Sequence, residues 1–358
     1  MKKLLLVFCA ILLVACKNGD SDLCIGIDLP LSGDYAYWGN EFKQGVDIYM
    51  EGAESISLMY EDNQGIPNVA VTAASKLINI DRVDVLVSLF APFSFPLRDI
   101  AEKANVPLLS SFNSSTAFCK GYDYSYTDFA THDMQLPLLV DYITQSETLN
   151  NGVYYCVNDD YGTDGARVIS QLFAEKNIPI AGEYFNSGES NHRNTLAKLL
   201  TPDIDFVFVI ARDKDLISAV NQIRERNHNL VIMGVGSFDA PDIWANIPLE
   251  NQENVYFASS YFDKDYNDES RKFYDRFYEI NGRDPNYPAI FGYTIVEYLH
   301  DVYRNAELKN TSINDELLKL DVESIRGQIK MQENHMIYSD IAIYKRIDGK
   351  SVALTSNE

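Results

Sequence analysis

The chain has 358 residues, 46% of them apolar and 23% charged, with a formal net charge of −22 at pH 7. That balance is globular, and the length exceeds what one hydrophobic core usually supports, so two domains are expected. A surface this acidic repels phosphate backbones and excludes nucleic acid as a partner.

At the N-terminus, Lys2 and Lys3 precede a twelve-residue apolar run from Leu4 to Ala15. Such a run suits the core of a secretory signal and is too short to span ~30 Å of hydrocarbon as a helix. Small Ala15 with Cys16 directly after it resembles the lipobox of bacterial lipoproteins; the alternative is an ordinary signal peptide followed by a cysteine. The resemblance implies that residues 1–15 are removed, that the Cys16 thiol carries the lipid, and that Lys17 to Asp22 form a tether. The body would then stand in the periplasm or at the cell surface, held to a bacterial membrane by its acyl chains. Removal of residues 1–15 takes away two Lys and no acid, so the charge of −22 becomes −24. Of five cysteines, Cys9 leaves with the signal and Cys16 takes the lipid. Cys24, Cys119 and Cys156 remain, with a Cys24–Cys119 bridge left open; Cys156, inside a strand, reads as a small buried apolar group.

From Leu23 onward short apolar runs alternate with stretches of helical period, the pattern of βαβ units around a parallel sheet. Strands are predicted at Cys24 to Asp28, Ser57 to Tyr60, Val83 to Leu89 and Val106 to Leu109. The stripes Phe42-Val46-Tyr49 and Val69-Ala73-Leu77 mark core-facing helices between them. A second series begins after about Asp133, with strands at Val153 to Val157, Ile180 to Phe185, Phe206 to Ile210, Leu230 to Met233 and Val255 to Ala258. Its helices include Ala166 to Glu175 and Leu216 to Arg226. Beyond these, Ser270 to Ile280 and Pro288 to Ala306 are helical, and weak strand patterns stand near Ile325 and from Ile341 to Tyr344. So few elements make no third core, and the segment is expected to complete the two earlier domains. The fold class is α/β: two doubly wound parallel-sheet lobes, with ligands at the carboxyl ends of the strands.

The run from Ile25 to Gly33 (Ile-Gly-Ile-Asp-Leu-Pro-Leu-Ser-Gly), with Trp38-Gly39 and Gly45 after it, is similar to the type I periplasmic binding proteins of the branched-chain amino acid and amide class. Tyr60 to Gly65, Pro107 to Ser111 and Asp159 to Gly162 agree in register, and the likeness spans about residues 23 to 345. It implies two lobes joined by three crossovers that close on a small solute, and delivery of that solute to a membrane permease driven by an ATPase. The lobes are expected as 23–130 with 259–326 and 131–258 with 327–358. The same fold could instead serve as a sensor or as an activator of an envelope enzyme. The protein is expected to act as a monomer.

Loops after strands would supply the ligand contacts: Trp38, the turn holding Ala91 and Phe93, Asn113 and Ser114 in the first lobe, and Tyr161, Arg212, Ser237 and Asp239 in the second. Trp38 precedes a glycine and belongs to no helical stripe, which favours a cleft wall over core packing. Tyr161 offers a flat face and one hydroxyl. Ser114 either meets the ligand or caps a turn. Arg212, directly after the apolar strand, either fixes an acidic group of the ligand or stands in solvent paired with Asp213 and Asp215. Amino-acid binders of the family hold the ligand carboxylate with a hydroxyl residue where Ala91 and Pro92 stand here, and His132, with Asp133 beside it, takes the place of the acid that meets the ammonium. Both an α-amino acid and a more aromatic solute or one with a different acid group therefore remain open. No phosphate loop, nucleophile elbow or metal-ligand spacing is present, so no catalytic residue, cofactor or metal is expected.

Overall fold

A computed structural model of the protein describes residues 23–115, 117–145, 149–260 and 262–354. The signal peptide, the tether and Cys16 lie outside the described residues. The first sheet has the order β2-β1-β3-β4-β5. Its strands are β1 (Leu23–Leu29), β2 (Ile56–Asp62), β3 (Val85–Leu89), β4 (Leu108–Ser111) and β5 (Ser125–Asp128), all parallel. Helices α1 (Ala36–Met50), α2 (Pro67–Lys76), α3 (Ala91–Ser94) and α4 (Arg98–Ala104) connect them. Covered on both faces, β1 and β3 read as continuous apolar runs rather than alternating ones.

The second lobe begins with α5 (His132–Thr144) and continues through β6 (Gly152–Val157), α6 (Asp160–Glu175), β7 (Ala181–Phe185), α7 (Arg193–Leu199), β8 (Phe206–Ile210), α8 (Asp213–Arg226), β9 (Val231–Gly234), α9 (Pro241–Ala245) and β10 (Val255–Ser260). The chain then returns to the first lobe as α10 (Asp268–Asn281), α11 (Tyr287–Lys309), α12 (Ile313–Leu317), β11 (Asp321–Ser324), β12 (Gly327–Met331) and β13 (Ile337–Tyr338). It ends in the second sheet as β14 (Ile341–Ile347) and β15 (Lys350–Leu354). That sheet has the order β15-β14-β10-β9-β8-β6-β7, with β14 and β15 antiparallel. The α/β fold with two lobes and three crossovers thus stands as the sequence implied.

Several elements differ from the sequence reading, among them the edge strand β15, which it did not place. Strand β5, Ser-Tyr-Thr-Asp, carries little apolar character, yet all four residues are buried as the edge of the first sheet. Strands β11, β12 and β13 form a small antiparallel sheet, tied to β5 by a bridge between Thr127 and Met336. The third crossing therefore falls at Ser339 and Asp340, not at the expected boundary of 326/327, because residues 327–338 stay with the first lobe. Cys24, Cys119 and Cys156 are all free thiols, with Cys156 fully buried in β6 as a small apolar group.

The returning helix α11 is seated by glycines. A methyl carbon at Gly45 of α1 would stand 1.8 Å from the Ala289 carbonyl oxygen, and one at Gly292 of α11 would stand 1.9 Å from that of Phe42. Only glycine at both positions lets these backbones cross so closely. The crossing carries Tyr287, at the start of α11, to the mouth between the lobes. Asn286 caps that start, its side chain accepting from the Ala289 N–H.

One buried acid makes the first lobe sensitive to pH. Asp28 in β1 is fully buried, and desolvation pushes its carboxyl up from 3.8 to about 7, against the opposing Asn63 and Ser88 side chains. Between those values the folded chain holds a proton that the unfolded chain has released, so this group's contribution to stability falls as pH rises. Asp28→Asn should flatten that slope in chemical denaturation curves recorded at several pH values. A slope unchanged from wild type would show that Asp28 is ionised in the fold.

Candidate functional site

The carboxyl ends of the two sheets face each other across a cleft of about 980 Å³. The first lobe contributes rings. Trp38, half-buried in the first turns of α1, packs edge-on against Phe90 at 5.6 Å between centroids and Tyr287 at 5.4 Å, and tilted against Phe112 at 5.7 Å. Tyr35 meets Phe93 at 5.2 Å, and Phe129, on the first crossing, meets Phe112 at 5.8 Å. Such tilted and edge-to-face contacts suit the quadrupoles of aromatic rings.

Two of these rings are held there by strained backbone. Phe90 follows β3 with φ 60° and ψ 144°, and Phe112 follows β4 with φ 56°. A non-glycine residue in this region costs of order 1 kcal/mol or more, and such conformations gather at ligand sites. The positive φ turns both rings off the ends of adjacent strands and into the cleft. Ala91 and Phe93 line the wall beside them from the single turn of α3.

Asn113 and Ser114 also reach the lining, with different freedom. Asn113 is almost fully buried; its Nδ2 donates to Ser110 Oγ at 3.1 Å and its Oδ1 accepts from the Ser115 N–H at 3.1 Å. It shapes its own turn. Ser114 is half-buried and faces the opening.

The second lobe contributes charge. Asp159, at the end of β6, caps α6 by accepting from the Gly162 N–H at 2.9 Å, and its other oxygen lies 2.7 Å from Arg212 Nη2. Arg212 thus pairs with Asp159, whereas Asp215 accepts from Ser187 Oγ and the Gly188 N–H. The Arg212 guanidinium carbon also sits 4.4 Å from the centroid of the Tyr161 ring. Burial pushes the Tyr161 phenol up, opposed by the nearby Ser237 hydroxyl and the Arg212 charge.

His132 does not line the cleft. It is fully buried, with Nδ1 at 3.0 Å from Asp164 Oδ2 and its ring 4.7 Å from that of Tyr161, so it braces the wall from behind. Asp164, half-buried, is held below the usual carboxylate range because bonds from His132 and Arg167 outweigh the desolvation that acts the other way. Asp133 pairs with Arg167 at 3.4 Å, outside the lining.

Of the residues singled out in the sequence, Trp38, Ala91, Phe93, Asn113, Ser114, Tyr161, Arg212 and Ser237 meet around this one cleft. Asp239 does not. The short turn Gly236–Asp239 directs it to Ser259, whose Oγ lies 3.0 Å from its Oδ2, and burial raises its carboxyl to about 6. Tyr35, Phe90, Phe129, Tyr287, Asp159, Asp160, Asp164 and Arg167 join the wall without having been singled out as contacts. For Asp159 the sequence does carry a signal, an acid opening the loop between β6 and α6.

A family model described as periplasmic binding protein matches residues 23–350. The chain belongs to that family. The curated relatives are matched over only 22% to 38% of their own length. One is the Leu/Ile/Val-binding protein homolog 6 of Brucella abortus, 26% identical over 148 residues, 38% of each chain. Among solved structures, the branched-chain amino acid transporter substrate binding protein LivJ of Streptococcus pneumoniae, in complex with isoleucine, superposes with TM-score 0.80 at 21% identity, covering 93% of this chain and 98% of the other. An ABC transporter solute binding protein of R. palustris, in complex with benzoate, superposes at 0.79 with 18% identity, covering 93% and 95%. These likenesses establish the two-lobed fold of this family member. Among the described residues no helix is long and apolar enough to cross a membrane.

Proposed function

We propose that this family member is a lipid-anchored extracytoplasmic receptor that captures a small solute by closure of its two lobes and hands it, unchanged, to an ABC importer. The observation that carries the reading is the cleft itself: an aromatic wall from one lobe and a Tyr161–Arg212–Asp159 cluster from the other, both at strand ends and joined by three crossovers. A ligand between two such faces stabilises the closed form, and closure turns occupancy into a shape that a permease can read. The ligands in the two solved structures, isoleucine and benzoate, are small and partly apolar, in keeping with an apolar wall. Trp38, Phe93, Ser114, Tyr161 and Ser237 are the residues proposed to touch the solute, with Ala91 shaping the wall. The receptor works as a monomer tethered through Cys16.

A thermal-shift screen over amino acids, amides, short carboxylates, amines and purines tests the capture step. A ligand at about 100 times its dissociation constant adds about 2.7 kcal/mol to stability. A screen in which no small solute raises the midpoint would contradict capture and favour a role as an envelope-enzyme activator.

The anchor has its own test. Cys16→Ser should abolish incorporation of a palmitate analogue and leave an unprocessed precursor, because a single thiol directly after the cleavage site receives the lipid. Label persisting in that variant would contradict the lipoprotein assignment.

A further inference from the structure

We infer that the solute taken by this cleft is an aromatic ring compound whose ring lies on the first-lobe wall, and not an aliphatic amino acid. This rests on the solute-receptor reading and adds the chemical class of the solute to it. Of the 24 described residues that line the cleft, nine are aromatic and none is Leu, Ile, Val or Met. Aromatic residues make up only 12% of the chain, so the large apolar side chains of this wall are rings rather than general hydrophobic bulk.

The rings stand nearly at right angles to one another. Trp38 meets Phe90 at 86°, Tyr35 meets Phe93 at 83°, and Phe112 meets Phe129 at 87° and Tyr287 at 89°. This is the edge-to-face order in which the positive edge of one ring meets the negative face of the next. The order breaks off at the cleft: Phe93, Phe112 and Tyr287 are buried behind, whereas Trp38, Phe90 and Phe129 are half-buried and Tyr35 is 37% exposed. A further aromatic ring continues the array and covers its open side, gaining ring–ring attraction besides the buried area. A saturated body of the same size gains the area alone. Phe90 and Phe112 hold their places at φ 60° and 56°, where glycine or asparagine would be unstrained, so the fold keeps these rings at the strand ends at a cost in local stability.

The second lobe contributes a single ring, Tyr161, to the described lining and otherwise, apart from Ala240, hydroxyl, carboxylate and guanidinium groups. That face meets the substituent of the solute. Selection by the ring is independent of the substituent's charge, since the exposed guanidiniums of Arg167 and Arg212 stand there among carboxylates.

Three pairs of probes, each an aromatic compound and its saturated counterpart with the same head group, isolate the ring: benzamide and cyclohexanecarboxamide, benzoate and cyclohexanecarboxylate, benzylamine and cyclohexylmethylamine. They are titrated by calorimetry into the mature protein at neutral pH. For the head group that binds most tightly, the aromatic member should bind about fivefold or more tighter than the saturated one. Trp38→Leu, which keeps apolar bulk without a ring, should bring that ratio toward one. In Trp244→Phe, where the only other tryptophan, packed on Phe238 and Phe257 away from the lining, is removed, the aromatic probe should change the emission of Trp38. A saturated member that binds as tightly as its aromatic partner overturns the inference, as does the failure of all three aromatic members to bind at millimolar concentration. So does an undiminished ratio in Trp38→Leu, or a Trp38 emission unmoved at saturation. Closure on a saturated probe or on isoleucine, seen as a fall in the radius of gyration, would strike the solute class and keep the receptor reading.

Discussion

Replacing Arg326 by Met should lower the stability of the fold by about 3–5 kcal/mol, the range found when one partner of a buried ion pair is removed. Arg326, in the turn between β11 and β12, is 1% exposed and lies 2.7 Å from Asp128 at the end of β5, which is 2% exposed. The second Asp128 oxygen accepts from Tyr298 Oη at 3.2 Å, and the guanidinium carbon stands 3.8 Å from the centroid of the Phe291 ring. Without Arg326 the carboxylate stays buried with a single phenol donor. The double variant Asp128→Leu, Arg326→Met removes both charges and should recover much of the loss, since a buried pair is worth little beyond an apolar replacement of similar volume. Urea denaturation at neutral pH checks both. A loss under about 1 kcal/mol for Arg326→Met would mean that the pair is solvated. The pair fastens the end of β5, next to the first crossing, to the turn between β11 and β12.

The second large effect falls on binding. Tyr161→Ala and Trp38→Ala should each weaken the captured solute by roughly 1–3 kcal/mol, the range of buried interface anchors. The two differ in their side effects. Trp38 packs against Phe90, Phe112 and Tyr287, so its truncation also loosens the first-lobe wall. Tyr161 lies under the Arg212 guanidinium and against the His132 ring, so its loss also removes packing from the Arg212–Asp159 pair. Calorimetry with any solute found by the screen decides the matter, and native affinity in both variants would place the site elsewhere.

The alternation of apolar runs and helical stripes was enough to read most strands of both sheets and the strand ends that face the cleft, because parallel strands buried on both faces leave long apolar signatures; the edge hairpin strand Lys350–Leu354 was not among them. The polar strand Ser125–Asp128 left none; its place is set by pairing with β4 and by Thr127 Oγ1 donating to the Ser110 and Asn113 carbonyls. Trp38, Tyr161 and Arg212 were legible because each stands directly after a strand or beside a glycine. Phe90 and Phe112 were not, since nothing in the sequence announces a phenylalanine at positive φ. Tyr287 reaches the same wall from 249 positions beyond Trp38 only because α11 crosses α1 at Gly45 and Gly292. Asp239, close to Ser237 in sequence, misled for the opposite reason: one short turn sends neighbours to different faces. The pairing of Arg212 with Asp159, while Asp215 turns to Ser187 and Gly188, is likewise a contact between loops that spacing does not reveal.

Closure is what distinguishes a receptor that signals its occupancy from a pocket that merely fills. Small-angle X-ray scattering of the mature protein, with and without a saturating solute whose binding has been confirmed by calorimetry, measures it directly. Lobes that swing together about the crossings at Phe129 to Thr131, Phe262 to Asn267 and Ser339 to Asp340 should reduce the radius of gyration on binding. A radius that does not change with bound solute would contradict capture by lobe closure.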